Sequence, residues 1–232
     1  MLDNFLVEER INSCFDTGGL DTLQYCLDRK HFDSYTYSVI YKYNSRGFRD
    51  SEWPDDVSNC IWSIGDSFTV GVGAPISHSW PWLLEKKLNQ RVLNCGMDGA
   101  SNDWISSRAV ELLAELTPKI IILQWSYIHR RQIDNQQLHF DKTATEYEDI
   151  ENFCQNVIAV ENVKKSCNVI HSTIPYRYLK RPNLLYNMLK KFLPGNIKLI
   201  EPVTQIDFAR DGHHYDILTS QVYVDRYLKY LV

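Results

Sequence analysis

Along most of the chain, short apolar runs alternate with segments whose apolar residues recur every three or four positions. The runs at 60–64, 91–94, 119–125 and 168–172 are dominated by Ile, Leu, Val, Cys and Trp and predict buried strands. A shorter one is expected at 197–200. Between and after them, 79–89, 103–116, 146–165, 183–192 and 216–230 carry helical spacing. Asp103 is placed to cap the second of these helices, and Pro118 stops it before the next strand. Helices alternating with apolar strands predict an α/β chain in which a parallel sheet is covered on both faces, a three-layer α/β/α sandwich.

The first part of the chain has a different texture. Residues 1–34 are mixed, with Leu20, Leu23 and Leu27 on one face of an expected helix. Residues 35–43 (Tyr-Thr-Tyr-Ser-Val-Ile-Tyr-Lys-Tyr) alternate and are rich in β-formers, predicting a strand. A polar loop broken by Pro54 follows. The organisation expected is an N-terminal extension, helix plus strand, over 1–55, packed on a main domain over 56–232. No repeat or low-complexity segment interrupts it.

Composition narrows the function classes. The chain has 232 residues, 44% hydrophobic and 23% charged, ordinary values for a soluble globular protein. A net charge of −4 without a run of Lys or Arg argues against a nucleic-acid surface. No apolar run approaches the roughly 18 residues of a membrane span. The N-terminus lacks the basic start and apolar stretch of a signal peptide, so a cytoplasmic location is expected. Six cysteines without a C-x-x-C pair read as free thiols. Cys60 and Cys95, beside predicted strands, read as small apolar residues. The 14 Tyr and 6 Trp suit a core, an interface or a sugar site.

The candidate chemistry lies at two places. Ile61-Trp-Ser-Ile-Gly-Asp-Ser67 is an apolar run ending on a serine, and Asp211-Gly-His-His214 supplies an acid and an imidazole three residues apart. A serine needs a base to become a nucleophile, and a histidine base needs a group that fixes its tautomer. Ser67, His214 and Asp211 provide those three roles, in an order that fixed geometry leaves free. Read alone, Asp66-Ser67 could equally cap a helix, and Asp211-Gly212 could be a solvated turn. His213 is an alternative base, but the Asp-x-x-His spacing selects His214. Adjacent histidines diverge and no further ligand cluster accompanies them, so no metal is expected, and no cofactor. Ser67, Gly99, Ser126 and Thr173 all fall just after predicted strands, where the sites of parallel sheets gather.

These blocks resemble those of the SGNH/GDSL hydrolases, serine esterases and acyl-transfer enzymes on a flavodoxin-like three-layer fold. Gly65-Asp66-Ser67 matches their first block, Asn94, Gly96 and Gly99 their Asn-x-Gly-x-x-Gly turn, and Asp211 with His214 their last. Tyr43-Asn-Ser-Arg-Gly-Phe-Arg-Asp50 is similar to a lead-in found upstream of the nucleophile. The resemblance covers roughly 43–232. It implies an acyl-enzyme on Ser67, with the amides of Ser67 and Gly99 holding the oxyanion. It also implies a small-molecule or carbohydrate acyl ester, such as an O-acetyl sugar, as substrate.

One block departs. Where the family carries Gly-x-Asn-Asp, this chain reads Gln124-Trp-Ser-Tyr127, which puts Ser126 at the Asn. Ser126 could donate in its place, or Asn102, Gln124 or Arg130 could substitute; losing one donor costs about 2.7–4 kcal/mol. Arg130 and Arg131 could instead bind a substrate carboxylate or phosphate, or pair with acidic neighbours in a solvated loop. His78, His129 and His139 have no partner spacing that singles them out, while His171, on a predicted strand, is a candidate to line the site. Two rivals to hydrolysis stay open: an acyltransferase with the same triad, and a non-catalytic binding or structural module that keeps the fold. A nucleotide-binding reading lacks any G-x-G-x-x-G or Walker-type loop.

Overall fold

The computed structural model describes residues 5–17, 21–133, 136–138, 144–175 and 182–231. Leu20 and His139 lie outside them. The first elements are short: β1 (Cys14–Phe15) pairs antiparallel with β2 (Tyr41–Lys42), with α1 (Arg29–Ser34) between them. The long N-terminal helix expected from the leucine spacing is therefore only α1, capped by the Asp28 carboxylate. Leu23 and Leu27 point outward, 47% and 60% exposed, so that stripe has nothing to bury against. The strand expected over 35–43 is likewise only two residues long, because its one partner is two residues long.

The main sheet is parallel, in the order β4-β3-β5-β8: β3 (Ile61–Gly65), β4 (Val92–Gly96), β5 (Ile120–Trp125) and β8 (Asn168–Thr173). Its register sets Gly65 beside Gly96 and Gln124, so three strands end level at one edge. The strand expected at 197–200 is a single bridge from Leu199 to His171, not a full fifth strand. An antiparallel hairpin, β6 (Arg131–Ile133) and β7 (Gln136–Leu138), sits apart and left no pattern in the sequence.

Helices cover both faces. On one, α4 (Asn102–Glu115), α5 (Glu146–Val163) and α6 (Pro182–Phe192) bury Ile105, Leu112, Phe153, Val157 and Leu189 against Trp62, Leu93, Leu123 and Val169. On the other, α3 (Trp80–Leu88) and α7 (Ile217–Leu231) bury Trp80, Leu84, Tyr223 and Tyr227 against Ile61, Val92, Ile122 and Ile170. Neighbouring strand residues thus go to opposite layers, as the pleat requires, and the expected α/β/α sandwich is the fold. Phe5 and Val7 belong to the first of these cores. The α4 cap is Ser101, which accepts from the Trp104 amide, and not Asp103. Asp103 instead accepts from Asn152, Asn156 and the Gln132 amide, tying α4 to α5 and the hairpin.

Candidate active site

The turn after β3 is built for close approach. A Cβ on Gly65 would stand 2.1 Å from Thr69 Oγ1 and 2.9 Å from the Gln124 carbonyl oxygen. One on Gly96 would stand 2.7 Å from the Val70 amide nitrogen. Without those atoms the backbone folds straight from β3 into α2 (Ser67–Val70). Asp66 is the N-cap, its Oδ1 accepting from the Phe68 amide at 3.0 Å. Ser67 is the first residue of the helix, not its cap, and its amide has no intrahelical acceptor. Asn94 donates to the Thr69 carbonyl at 3.0 Å and accepts from the Gly96 amide at 3.1 Å. At the other end of α2, the buried Arg49 guanidinium donates to the carbonyls of Gly71, Ala74 and Ile40 at 2.5, 2.9 and 2.9 Å. Arg49, within the lead-in Tyr43–Asp50, therefore holds the turn that carries Ser67.

The loop before α7 brings the other two groups. His214 Nε2 lies 2.8 Å from Ser67 Oγ, and His214 Nδ1 lies 2.5 Å from Asp211 Oδ2. Asp211 Oδ1 accepts from the amides of His213 and His214 at 2.8 and 2.9 Å. All three residues are buried, and the Phe68 ring packs on the His214 ring with centroids 4.6 Å apart. Burial would raise the Asp211 pKa, but the His214 charge, its hydrogen bond and the two amides outweigh that and hold it at about 2. Burial pushes the His214 pKa down, and the Asp211 charge and hydrogen bond more than reverse this, leaving it above the ordinary histidine value. His213 points elsewhere, its Nε2 lying 3.2 Å from the Tyr127 hydroxyl.

The residues around the missing Asn are bound to one another. Ser126 Oγ donates to Asp66 Oδ2 at 2.6 Å, which commits its single proton. Arg130 Nη1 donates to the same Oδ2 at 3.1 Å, to Ser126 Oγ at 2.9 Å and to the Ala100 carbonyl at 3.4 Å. Asn102 accepts from the Ser126 amide at 2.8 Å and donates to the Tyr127 carbonyl at 3.2 Å. Gln124 is occupied in the core, its Oε1 accepting from Thr69, Trp80 and Tyr215. Gly99 turns with φ of +77° two residues after Met97, whose amide donates to the Gly65 carbonyl at 3.0 Å. Arg131 is held inside by Asp149, Asn152 and two carbonyls. Neither arginine is the solvated loop residue that the sequence allowed.

Asp66 as the hub of this cluster is what sequence reasoning missed. Its partners lie 60 and 64 positions away, and only the strand register brings them together. His171 does not line the site: it is fully buried, stacked on Trp125, with Nε2 3.2 Å from Glu161 Oε1. His78 pairs with Asp216 at 2.6 Å. Among the described residues no His/Cys/Asp/Glu group could hold a metal, and no helix is long and apolar enough to cross a membrane.

No family model matches the chain, and no curated protein matches it. Solved structures do. The chain is similar to TesA, with a TM-score of 0.54 and 17% identity over 74% of this chain and 97% of that one. It is similar to a family two carbohydrate esterase from Clostridium thermocellum solved with cellohexaose, with a TM-score of 0.55 and 13% identity over 77% and 65%. It is also similar to a protein assigned to the lipolytic G-D-S-L family from Desulfitobacterium hafniense, with a TM-score of 0.52 and 18% identity over 74% and 99%. At such identities the likeness is one of fold. The fold is the one the motifs around Ser67, Asn94 and His214 imply, that of the SGNH/GDSL hydrolases.

Proposed function

We propose that the protein hydrolyses an acyl ester through an acyl-enzyme on Ser67. Ser67 Oγ attacks the ester carbonyl carbon as its proton passes to His214 Nε2. Asp211 keeps the His214 Nδ1 proton in place and balances the imidazolium that forms. The tetrahedral oxyanion lies against the amides of Ser67 and Gly99, neither of which has an acceptor among the described residues. On collapse the carbon–oxygen bond breaks and the leaving alkoxide takes the proton from His214. Water then attacks the acyl carbon as His214 takes its proton, and on collapse His214 returns that proton to Ser67 Oγ as the acid leaves. The observation that carries this reading is the unbroken chain Ser67 Oγ–His214 Nε2, His214 Nδ1–Asp211 Oδ2, at 2.8 and 2.5 Å.

In this reading the oxyanion hole has two backbone donors. Ser126 and Arg130 work behind it, holding Asp66 and the Ala100 carbonyl and so the turns that carry Ser67 and Gly99, while Asn102 fixes the Ser126 amide. A carbohydrate ester is the substrate class favoured by the likeness to a carbohydrate esterase. The commitment of the Ser126 hydroxyl to Asp66 favours a second reading, a binding module that keeps the triad without turnover. Intact-mass spectrometry after incubation with a fluorophosphonate separates the two. Hydrolysis requires one adduct on the native chain and none on Ser67→Ala. A folded native chain that takes up no adduct supports the binding module.

A further inference from the structure

The loop carrying Asp211 and His214 is gripped from outside by the N-terminal segment. The Leu27 amide donates to the Asp211 carbonyl at 3.1 Å, and His31 Nε2 lies 2.8 Å from the Ala209 carbonyl. The centre of the grip is Asp21, a fully buried carboxylate. Arg210 donates to it through Nε at 2.8 Å and Nη2 at 2.6 Å, and the Tyr41 hydroxyl donates to it at 2.7 Å. The same hydroxyl accepts from the Gly73 amide at 2.7 Å. Gly73 in turn lies against the triad acid: a Cβ there would stand 3.2 Å from the Asp211 carboxyl carbon and Oδ1. The Arg210 amide donates to the Gly73 carbonyl at 2.8 Å, closing the ring.

Asp21 thus holds Asp211 from two sides, through the preceding residue in the chain and through the residue packed on its carboxyl group. A buried carboxylate persists only with partners, and a two-point arginine fork fixes direction as well as distance. Asp211 must meet His214 Nδ1 in line, and a displacement of about 1 Å in such a constellation costs on the order of a hundredfold in rate. We propose that Asp21, with Arg210 and Tyr41, positions Asp211, making residues 21–41 part of the working site; this rests on the hydrolase reading of Ser67, Asp211 and His214.

The test uses Asp21→Asn, which removes the charge at constant size, and Tyr41→Phe, which keeps the ring stacked on Phe15 and beneath Arg49. Two quantities are read on each full-length chain: the His214 ring titration by NMR and the fluorophosphonate labelling rate against pH. The charged groups facing His214 are Asp211 on its own loop, Asp98 before Gly99 and Asp66 at the start of α2, with the His213 ring 5.0 Å away. Neither variant alters any of them directly. The expected result is a His214 midpoint moved down in both variants, with the labelling rate at high pH reduced roughly ten- to a hundredfold in Asp21→Asn and less in Tyr41→Phe. Lost stability alone would lower the melting temperature and leave the midpoint in place. Folded variants with the native midpoint and native rate overturn the proposal, and Tyr41→Phe decides if Asp21→Asn does not fold. A native chain that never labels, but whose His214 midpoint moves in the variants, sinks the hydrolase reading and leaves the positioning role standing.

Discussion

Asp211 and His214 titrate in opposite directions from their ordinary values, and each direction has a consequence. The Asp211 pKa is depressed to about 2, so its contribution to stability is present above the unfolded carboxylate value and is lost as pH falls toward 2. The His214 pKa is raised, so its contribution is full below the unfolded histidine value and is lost as pH rises through the folded one. The proposed mechanism runs against the second of these, because in it the His214 base must be neutral. The rate of Ser67 acylation is therefore expected to rise with pH through a midpoint above the ordinary histidine value and to stay flat beyond it. Asp211→Asn should shift that midpoint downward and lower the plateau by about 10⁴-fold, as loss of the tautomer-fixing acid does in a serine triad. Stopped labelling at a series of pH values measures both; a variant midpoint at or above the native one would refute the assignment of Asp211. In the sequence Asp211 and His214 stand out by their local spacing, and Ser67 by its place at the end of an apolar run. Ser126, Asn102 and Arg130 were legible only as polar residues near a strand end. Asp66, the partner of Ser126 and Arg130, is brought to them by strand register, which no local pattern contains.

At the level of elements, the central strands and long helices followed from periodicity to within a residue or two, because each buries a continuous face. The N-terminal elements did not. Residues 21–41 are held mainly by side-chain and loop hydrogen bonds to distant partners, with little periodic apolar burial, and such contacts leave no repeat in the sequence. α2 was missed for another reason: four residues are too few for a period, and what sets it is the absence of side chains at Gly65 and Gly96. That has a direct test. In Gly96→Ala the new methyl would meet the Val70 amide nitrogen at 2.7 Å, backbone that cannot turn aside. β4 and α2 must then separate, at a cost of about 1–3 kcal/mol typical of overpacking. Ser67 rides on α2, so activity should fall further than stability does. Chemical denaturation read beside the labelling rate distinguishes this from a uniform loss: an alanine variant with native labelling at native stability would show that the close approach is not needed.

Across the whole molecule, the cysteines report how the parts are joined. Cys60, Cys95, Cys154 and Cys167 all belong to the one apolar core between the sheet and α4, α5 and α6. Burial pushes the Cys154 and Cys167 thiols up to about 11 and Cys95 well above its ordinary value. Only the thiolate reacts, so all four should resist alkylation in the native state on two counts, access and ionisation. Cys14, on β1, is exposed, and Cys26, half-buried beside the grip on Asp211, donates only to the Leu23 carbonyl at 3.3 Å. A thiol reagent at neutral pH is expected to modify Cys14 first and Cys26 more slowly. The four core thiols should then appear together in the thermal transition, because they share one core to which Phe5 and Val7 of the N-terminal segment also belong. If Cys26 becomes fully reactive well below that transition, and Ser67 labelling is lost with it, the N-terminal segment opens before the core does. The site would then be switched off by a local event that leaves the sandwich folded. If Cys26 and the core thiols respond at the same temperature, the segment and the sandwich are one cooperative unit, and the geometry at Asp211 is as stable as the fold itself.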